Sequence, residues 1–200
     1  MKFSKTDFGY DLPSELIAKY PSQQRTESKT LILDNKFTIQ FFKDTLNHFA
    51  EYDLVVLNET KVRPARILLQ KDSGGYVEIL ILQKTTKYRA VCLAKGLNRK
   101  KTNQTLYSSN FPVKIKIISN VSKDIEIEFD QDIDQLCMEI GQMPIPPYLG
   151  REAEEIDIER YQTVFANDER LGSAAAPTAS LHMDDAFLKN VEKATKVCKI

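Results

Sequence analysis

The sequence predicts a mixed α/β protein in which an α/β domain is interrupted by an inserted small β-barrel domain. Three observations support this fold class. The compact apolar run Leu54–Leu57 is typical of an inner strand, the apolar period then changes to two, and after Phe129 the helical period returns. We therefore place the α/β domain at residues 1–62 plus 141–200, and the inserted barrel at residues 63–140.

The segment before the inner strand mixes helix and strand signals. Pro13 suits the first turn of a short helix that would bury Leu16 and Tyr20 on one face. The elements expected next are strands at Thr30–Leu33 and Phe37–Phe42, and a helix through Leu46 and Phe49. These elements lead directly into the inner strand, so we assign them to the α/β domain.

Five short segments rich in β-branched or aromatic residues follow, separated by turn signals. They are Arg66–Gln70, Tyr76–Leu82, Tyr88–Leu93, Val113–Ile118 and Ile125–Phe129. Such a series predicts a small barrel or sandwich. In the fourth segment, alternation places Lys114 and Lys116 opposite the apolar side chains, so these cations should point outwards.

The charge of the chain is balanced in total but unevenly distributed. Lys plus Arg and Asp plus Glu both number 28, yet the segment Ile79–Lys123 contains no acidic residue. Its ten basic residues are Lys84, Lys87, Arg89, Lys95, Arg99, Lys100, Lys101, Lys114, Lys116 and Lys123. Two interpretations stay open: a phosphate-binding surface, or an ordinary solvated face.

Helical periodicity returns with Ile133–Ile140, which Gly141 should terminate. Three prolines then fix an extended run, before a charged helix over about residues 156–165 and a last helix over residues 187–194. The final residues resemble the start of a strand that needs further neighbours. We therefore expect part of an ancestral α/β design to be missing after them.

Composition excludes several classes of protein. The polar start does not match a secretory signal, and no apolar run approaches the roughly 20 residues that span a bilayer. Cys92, Cys137 and Cys198 are too far apart to indicate a disulfide framework or a zinc site. We expect three buried thiols in a cytoplasmic protein.

Two stretches differ from ordinary scaffold. The first, VVLNETKVRPARI, brings polar side chains to the end of the inner strand: Asn58, Thr60, Lys61, Arg63 and Arg66. The second spans residues 141–183 and combines GQMPIPPYL, ERYQTVFA and GSAAAPTASLHM. Its small residues would allow close approach of backbone to a flat ligand. The alternatives are a plain turn with solvated cations for the first stretch, and plain packing for the second.

These blocks, together with the opening FGYDLPSELIAKYP and the hairpin GGYVEILIL, resemble the S-adenosylmethionine:tRNA ribosyltransferase-isomerases in order and spacing along essentially the whole chain. The resemblance implies an α/β domain with an inserted β-barrel. It also implies transfer and isomerisation of the ribosyl moiety of S-adenosylmethionine to 7-aminomethyl-7-deazaguanine in tRNA, which gives epoxyqueuosine. S-adenosylmethionine is then a cosubstrate, and no metal is needed.

The resemblance and the chemistry together assign candidate roles. His182 is the acid or base candidate, because its ordinary pKa lies near neutrality; a structural role is the alternative. The remaining substrate-binding candidates are Asn58, Thr60, Arg63, Arg66, Tyr161, Gln162, Pro177 and Thr178, with Arg63 or Arg66 facing the methionine carboxylate. Lys95, Arg99, Lys100 and Lys101 are the candidates for binding tRNA with a GUN anticodon. His48 lies outside every block and is assigned to the surface.

The chain also departs from the family pattern. Ser180 replaces a glycine, Met183 replaces an aromatic residue, and Arg63 stands where an apolar residue is usual. The later TLHVG-type and GTTS-type blocks are absent. The alternatives to a complete enzyme are a truncated, inactive tRNA-binding remnant and one half of a split enzyme that acts with a separately encoded C-terminal fragment.

Overall fold

The structure is a computed structural model that describes residues 3–33, 35–109, 111–120 and 123–200. Its strands are β1 (Lys29–Leu33), β2 (Phe37–Phe41), β3 (Leu54–Leu57), β4 (Thr60–Val62), β5 (Arg66–Gln70), β6 (Tyr76–Lys84), β7 (Arg89–Lys95), β8 (Asn103–Ser108), β9 (Phe111–Ser119), β10 (Ile125–Phe129), β11 (Gly141–Gln142), β12 (Asn167–Ser173) and β13 (Lys196–Lys199). The α-helices are α1 (Leu46–Ala50), α2 (Ile133–Ile140), α3 (Glu155–Arg160) and α4 (Asp185–Ala194). Short 3-10 helices lie at Lys5–Phe8, Ser14–Leu16, Arg25–Glu27, Phe42–Thr45, Pro147–Leu149 and Thr178–His182.

Strands β5 to β10 form a closed antiparallel barrel. The strand order is β5-β6-β7-β10-β9-β8, and a pairing of Gln70 with Tyr107 joins β5 to β8. The interior is apolar; its fully buried side chains include Ile67, Ile79, Ile81, Leu106, Ile125 and Ile127. At ~25 cal/mol for each Å² of apolar surface removed from water, this core is the main stabilising element of the barrel.

Strand β9 has the predicted alternation. Val113, Ile115 and Ile117 are buried, whereas Lys114 and Lys116 are exposed. The outward direction of these lysines is therefore confirmed.

The remaining elements form small sheets and helices beside the barrel. Strand β3 pairs in parallel with β13, β4 pairs in parallel with β12, and β1 pairs with β2 as an antiparallel hairpin. Helices α1 and α4 contribute to a second core with Phe42, Leu57 and Phe165; the rings of Phe42 and Phe187 lie 4.8 Å apart. Parallel strands with helices beside an antiparallel barrel confirm the predicted mixed α/β class.

Gly141 lies where the chain leaves the barrel. It ends α2, as predicted, and pairs with Ile67 of β5. A Cβ atom at this position would lie 2.0 Å from the Pro64 carbonyl oxygen and 2.3 Å from that of Cys137. Because only glycine lacks this atom, Gly141 allows the segments entering and leaving the barrel to lie side by side.

Three local predictions are wrong. In place of a helix that buries Leu16 and Tyr20, the structure has a 3-10 turn at Ser14–Leu16, and both side chains are exposed. The Tyr20 ring packs on the Arg151 guanidinium rather than on an apolar core, and its hydroxyl donates to Glu154. Helix α3 ends at Arg160, and the chain turns so that residues 167–173 become β12. Cys198 is exposed, unlike Cys92 and Cys137.

Within the described ranges, no helix has the length and apolarity to cross a membrane.

Candidate functional site

His182 lines a cavity of about 820 Å³ between the segment before β1, the proline run with α3, and the last 3-10 helix. We call it the His182 cavity. Its lining includes Arg25, Ser28, Arg160, Tyr161, Thr178 and His182. Ligand sites for small molecules usually measure about 300–1,000 Å³, so this volume suits a nucleoside-sized ligand.

The imidazole of His182 is held on one side. Its Nδ1 lies 2.9 Å from the Ser28 Oγ, which is itself 3.1 Å from the Ser22 Oγ. The ring also packs against Phe42, with centroids 5.6 Å apart. Burial, and secondly the positive charge of Arg25, lower the pKa of His182 below its usual 6.5. The ring is therefore neutral at neutral pH, which is the form that accepts a proton.

A buried ion pair supports the wall of the His182 cavity. The Arg151 guanidinium donates to both carboxylate oxygens of Asp157, at 2.6 and 2.8 Å, and Asp157 also accepts from the Glu154 backbone N–H. The same guanidinium lies 4.5 Å from the centre of the Tyr20 ring. These contacts fix the start of α3 and so position Arg160 and Tyr161 one turn later.

The end of α3 is joined to β4 through Gln162. Its amide donates to the Val62 carbonyl at 2.6 Å and accepts from the Val62 N–H at 2.9 Å. Tyr161 is buried against Val62, Met143 and Ile145, and burial raises its pKa. Gln162 lines a second cavity of about 710 Å³, which shares Arg25 with the first. Tyr161 thus faces the His182 cavity, whereas the Gln162 amide is engaged by backbone.

Asn58 and Thr60 bond to each other at the turn between β3 and β4. The Asn58 Oδ1 accepts from the Thr60 N–H at 2.9 Å and from its hydroxyl at 2.7 Å. Neither residue lines either of the two cavities. Both contacts are those of a local turn, so the structure does not bring Asn58 and Thr60 together with His182.

Arg63 and Arg66 face carboxylates of the protein. Arg63 is buried 3.5 Å from Asp134, and Arg66 lies 3.2 Å from Glu78. Neither arginine lines the His182 cavity. Pro177 immediately precedes the 3-10 helix that carries Thr178 and His182, so it lies next to the cavity without lining it.

Nine of the ten cations of the acid-free segment, all except Arg99, divide into two groups. Four pair with carboxylates: Lys84 with Asp134, Lys87 with Asp132, Arg89 with Glu128, and Lys95 with Glu78. Five have no carboxylate of the described residues within ion-pair distance, and we call them the lysine face: Lys100, Lys101, Lys114, Lys116 and Lys123. Lys116 of β9 pairs with Asn103 of β8, and Asn103 follows Lys101 by two residues. At the other end of β9, the Arg99 guanidinium donates to the Lys123 carbonyl. Lys101, Lys114 and Lys116 line one shallow cavity together with Asp72, Glu128 and Asp130, so the lysine face lies beside carboxylates although none of these is within ion-pair distance.

Sequence reasoning did not identify Arg25, Ser28 and Arg160 as site residues. Arg25 and Ser28 lie three residues apart in one segment, and Arg160 lies in the block ERYQTVFA, where Tyr161 and Gln162 were the chosen candidates. The two segments come together only in the fold. Within the part of the chain that the structure describes, no group of three or more His, Cys, Asp or Glu side chains is placed to hold a metal ion.

The mixed fold, the barrel and the His182 cavity define an α/β protein with an inserted basic barrel. A model of the family described as queuosine biosynthesis protein matches residues 5–200, so the chain belongs to that family. A protein of Acinetobacter baumannii (strain SDF), named S-adenosylmethionine:tRNA ribosyltransferase-isomerase, is 43% identical over 192 residues, which are 94% of this chain and 54% of that protein. A protein of the same name from Syntrophomonas wolfei is 39% identical over 91% of this chain and 53% of its own length.

The chain spans about half the length of the curated relatives it matches. Among solved structures, the S-adenosylmethionine tRNA ribosyltransferase of Thermotoga maritima is 21% identical, with a TM-score of 0.35, over 96% of this chain and 56% of that chain.

Proposed function

We propose that the chain takes part in transferring and isomerising the ribosyl moiety of S-adenosylmethionine onto 7-aminomethyl-7-deazaguanine in tRNA, which gives epoxyqueuosine and releases adenine and methionine. The observation that supports this proposal is the 43% identity, over 94% of the chain, to a protein named S-adenosylmethionine:tRNA ribosyltransferase-isomerase. The complete reaction is a proposal because the relatives are nearly twice as long.

The His182 cavity is the proposed place for the cosubstrate. The sulfonium makes the adjacent ribose carbon acidic, and a neutral imidazole in the same cavity is suited to accept that proton. Ser28 holds Nδ1 of the ring, which leaves Nε2 for the substrate. Tyr161, Thr178 and the backbone after Pro177 would contact the nucleoside. No metal is included in this proposal.

The candidate residues outside the cavity need rearrangement to act. For Arg63 or Arg66 to bind the methionine carboxylate, the guanidinium would have to exchange Asp134 or Glu78 for the ligand. Asn58 and Thr60 would likewise have to open their turn. Gln162 would have to release the backbone of Val62 before reading a base.

Residues 63–140 are proposed as an inserted domain that binds the anticodon arm of a cytoplasmic tRNA with a GUN anticodon. Arg99, Lys100 and Lys101 lie at or beside the lysine face, which has the positive charge that phosphates require. Lys95 already pairs with Glu78, at 3.8 Å, so it would contribute less.

Adenine release tests the enzyme proposal. The purified chain is incubated with S-adenosylmethionine and tRNA that carries the aminomethyl precursor, beside a full-length relative as positive control. We expect release by the wild type, and a rate about 10²–10⁴-fold lower for His182→Gln, since general-base contributions have this size. His48→Gln is the matched control, because His48 is the other histidine and is exposed. No release by the wild type, either alone or after addition of a polypeptide equivalent to the relatives' second half, would contradict the proposal, and so would an unaffected His182→Gln.

A second candidate function is tRNA binding without ribosyl transfer, as a truncated and inactive remnant; the other alternative is one half of a split enzyme that transfers the ribosyl moiety only with a separately encoded C-terminal fragment. The observation that favours tRNA binding is the lysine face, which belongs to the barrel and shares no residue with the His182 cavity. Binding of tRNA with no adenine release, even after addition of a polypeptide equivalent to the relatives' second half, supports the remnant. Release that appears only on that addition supports the split enzyme.

A further inference from the structure

Two arginines of the His182 cavity pair with no carboxylate in the described part of the chain. Arg25 donates to the backbone carbonyls of Leu181 and Glu159, both at 3.0 Å, and Arg160 donates to those of Gln23 and Ser22, at 3.2 and 2.8 Å. Neither forms an ion pair with any carboxylate of the described residues. The Nε of Arg160 is buried and has no hydrogen-bond partner.

The two guanidiniums also repel each other. Burial lowers the pKa of Arg25, and the next cause is the charge of Arg160; Glu159, Asp185 and Asp184 oppose the shift from beyond ion-pair distance. The third arginine of the cavity, Arg151, differs because Asp157 neutralises it. Two partly buried like charges whose nearest carboxylates lie beyond ion-pair distance repel each other, and an anion placed between them would relieve both.

We propose that Arg25 and Arg160 form a carboxylate-binding subsite of the His182 cavity, and that its ligand is the carboxylate of the amino-acid part of the cosubstrate. This inference rests on the proposed function. Guanidinium groups bind carboxylates through paired, charge-assisted hydrogen bonds. Each terminal nitrogen of Arg25 and Arg160 donates one hydrogen to a backbone carbonyl and has a second hydrogen for a ligand.

A cosubstrate carboxylate fits this place better than a tRNA phosphate. The cavity is a concave space of about 820 Å³ backed by the buried Tyr161, which matches a small molecule. Arg25 is close enough to His182 to lower its pKa, so a ligand held by Arg25 lies near the imidazole. The proposed binding surface for tRNA phosphates is the lysine face of the barrel.

The test compares two ligands that differ in one group. Calorimetry measures binding of S-adenosylmethionine and of its decarboxylated analogue to the wild-type chain and to Arg160→Gln. We expect the substitution to weaken binding of S-adenosylmethionine about ten- to hundredfold, the range for a charge-assisted hydrogen bond, and to change binding of the analogue by less than about threefold. Arg89→Gln, on the barrel, should change neither.

The outcomes separate this inference from the proposed function. An equal loss for both ligands overturns the inference and leaves the function standing, whereas a wild type that binds neither ligand overturns both. Weaker tRNA binding by Arg160→Gln, with unchanged binding of S-adenosylmethionine, would assign the subsite to a phosphate and also overturn the inference. If Arg160→Gln does not fold, Arg160→Lys keeps the charge but not the fork, and it should still weaken binding of S-adenosylmethionine more than that of the analogue.

Discussion

Asp157 shows how one side chain can position a cavity wall. It accepts two hydrogen bonds from Arg151 and one from the Glu154 backbone, and both side chains of the pair are almost fully buried. The hydrogen bonds from Arg151 lower the pKa of Asp157, so the pair stays charged at neutral pH. The stability from this carboxylate is present above its ordinary pKa and is lost as the pH falls towards the lowered one.

Asp157→Asn should destabilise the chain by about 3 kcal/mol, because it leaves the Arg151 charge buried without a counter-ion. Urea denaturation at neutral pH measures the change in the free energy of unfolding. Asp168→Asn is the control, since Asp168 pairs with Lys61 on the surface and should cost less than about 1 kcal/mol. Equal effects of the two substitutions would contradict the assignment of a structural role to the buried pair.

His182 predicts a dependence of stability on pH. Its folded-state pKa is below 6.5, so between that value and 6.5 the unfolded chain binds more protons, and stability falls as the pH is lowered. We expect wild type to lose more stability than His182→Gln when urea denaturation is moved from pH 7.5 to pH 5.5. His48→Gln should behave as wild type. A His182→Gln variant with the wild-type loss would contradict the lowered pKa.

At the scale of elements, the sequence predicts those strands and helices whose buried side chains recur at a regular spacing. Strand β9 alternates between core and solvent, and its pattern shows this directly. Strand β8 was missed because Gln104 takes a buried position, where it donates to the carbonyls of Asn98 and Lys101. Strand β12 has the sequence NDERLGS, and its pairing with β4 depends on backbone contacts that leave no apolar period.

The candidate site was predictable only in part, for the same reason. The blocks that carry the family resemblance included His182, Tyr161 and Thr178, which the cavity brings together. The positions of Arg25 and Arg160 depend on partners that are distant in sequence. Arg25 donates to the carbonyl of Leu181, and Arg160 donates to that of Ser22. Such convergence is a property of tertiary structure.

The three cysteines differ in exposure: Cys92 and Cys137 are buried, and Cys198 is exposed. Burial raises the pKa of Cys92, on β7, to about 12 and that of Cys137, on α2, to about 11, whereas Cys198 on β13 is exposed. A thiol reagent at pH 8 should therefore label one thiol rapidly and the other two only when the barrel opens. Cys198→Ser should abolish the rapid phase. Rapid labelling of two or three thiols would show that the barrel is not closed in solution.

The whole molecule is electrically polarised although its formal net charge is zero. Four cations of the acid-free segment pair with carboxylates, so the cations of this segment that lack an ion pair among the described residues include the five of the lysine face. A polyanion would meet this face in one orientation, with the barrel towards the nucleic acid.

Lys100→Glu with Lys101→Glu should weaken tRNA binding and reduce its salt dependence. Each lost phosphate contact lowers the slope of log affinity against log salt by about 0.7–0.9, so a decrease of about 1–2 is expected. Filter binding at several salt concentrations measures the slope. Lys189→Glu with Lys193→Glu makes the same change of charge on exposed residues of α4 and should leave the slope unchanged. Equal slopes for both pairs would contradict binding through the lysine face.

The adjacency of Pro64 and Gly141 has a consequence for how such a protein could arise. About 75 residues separate Pro64 from Gly141 in sequence, yet their backbones lie in van der Waals contact. Because an insertion of this kind adds almost nothing to the separation of the segments on either side, its length is nearly free to vary. A larger, smaller or differently charged domain could be inserted between Pro64 and Gly141 without disturbing the pairing of β3 with β13 and of β4 with β12.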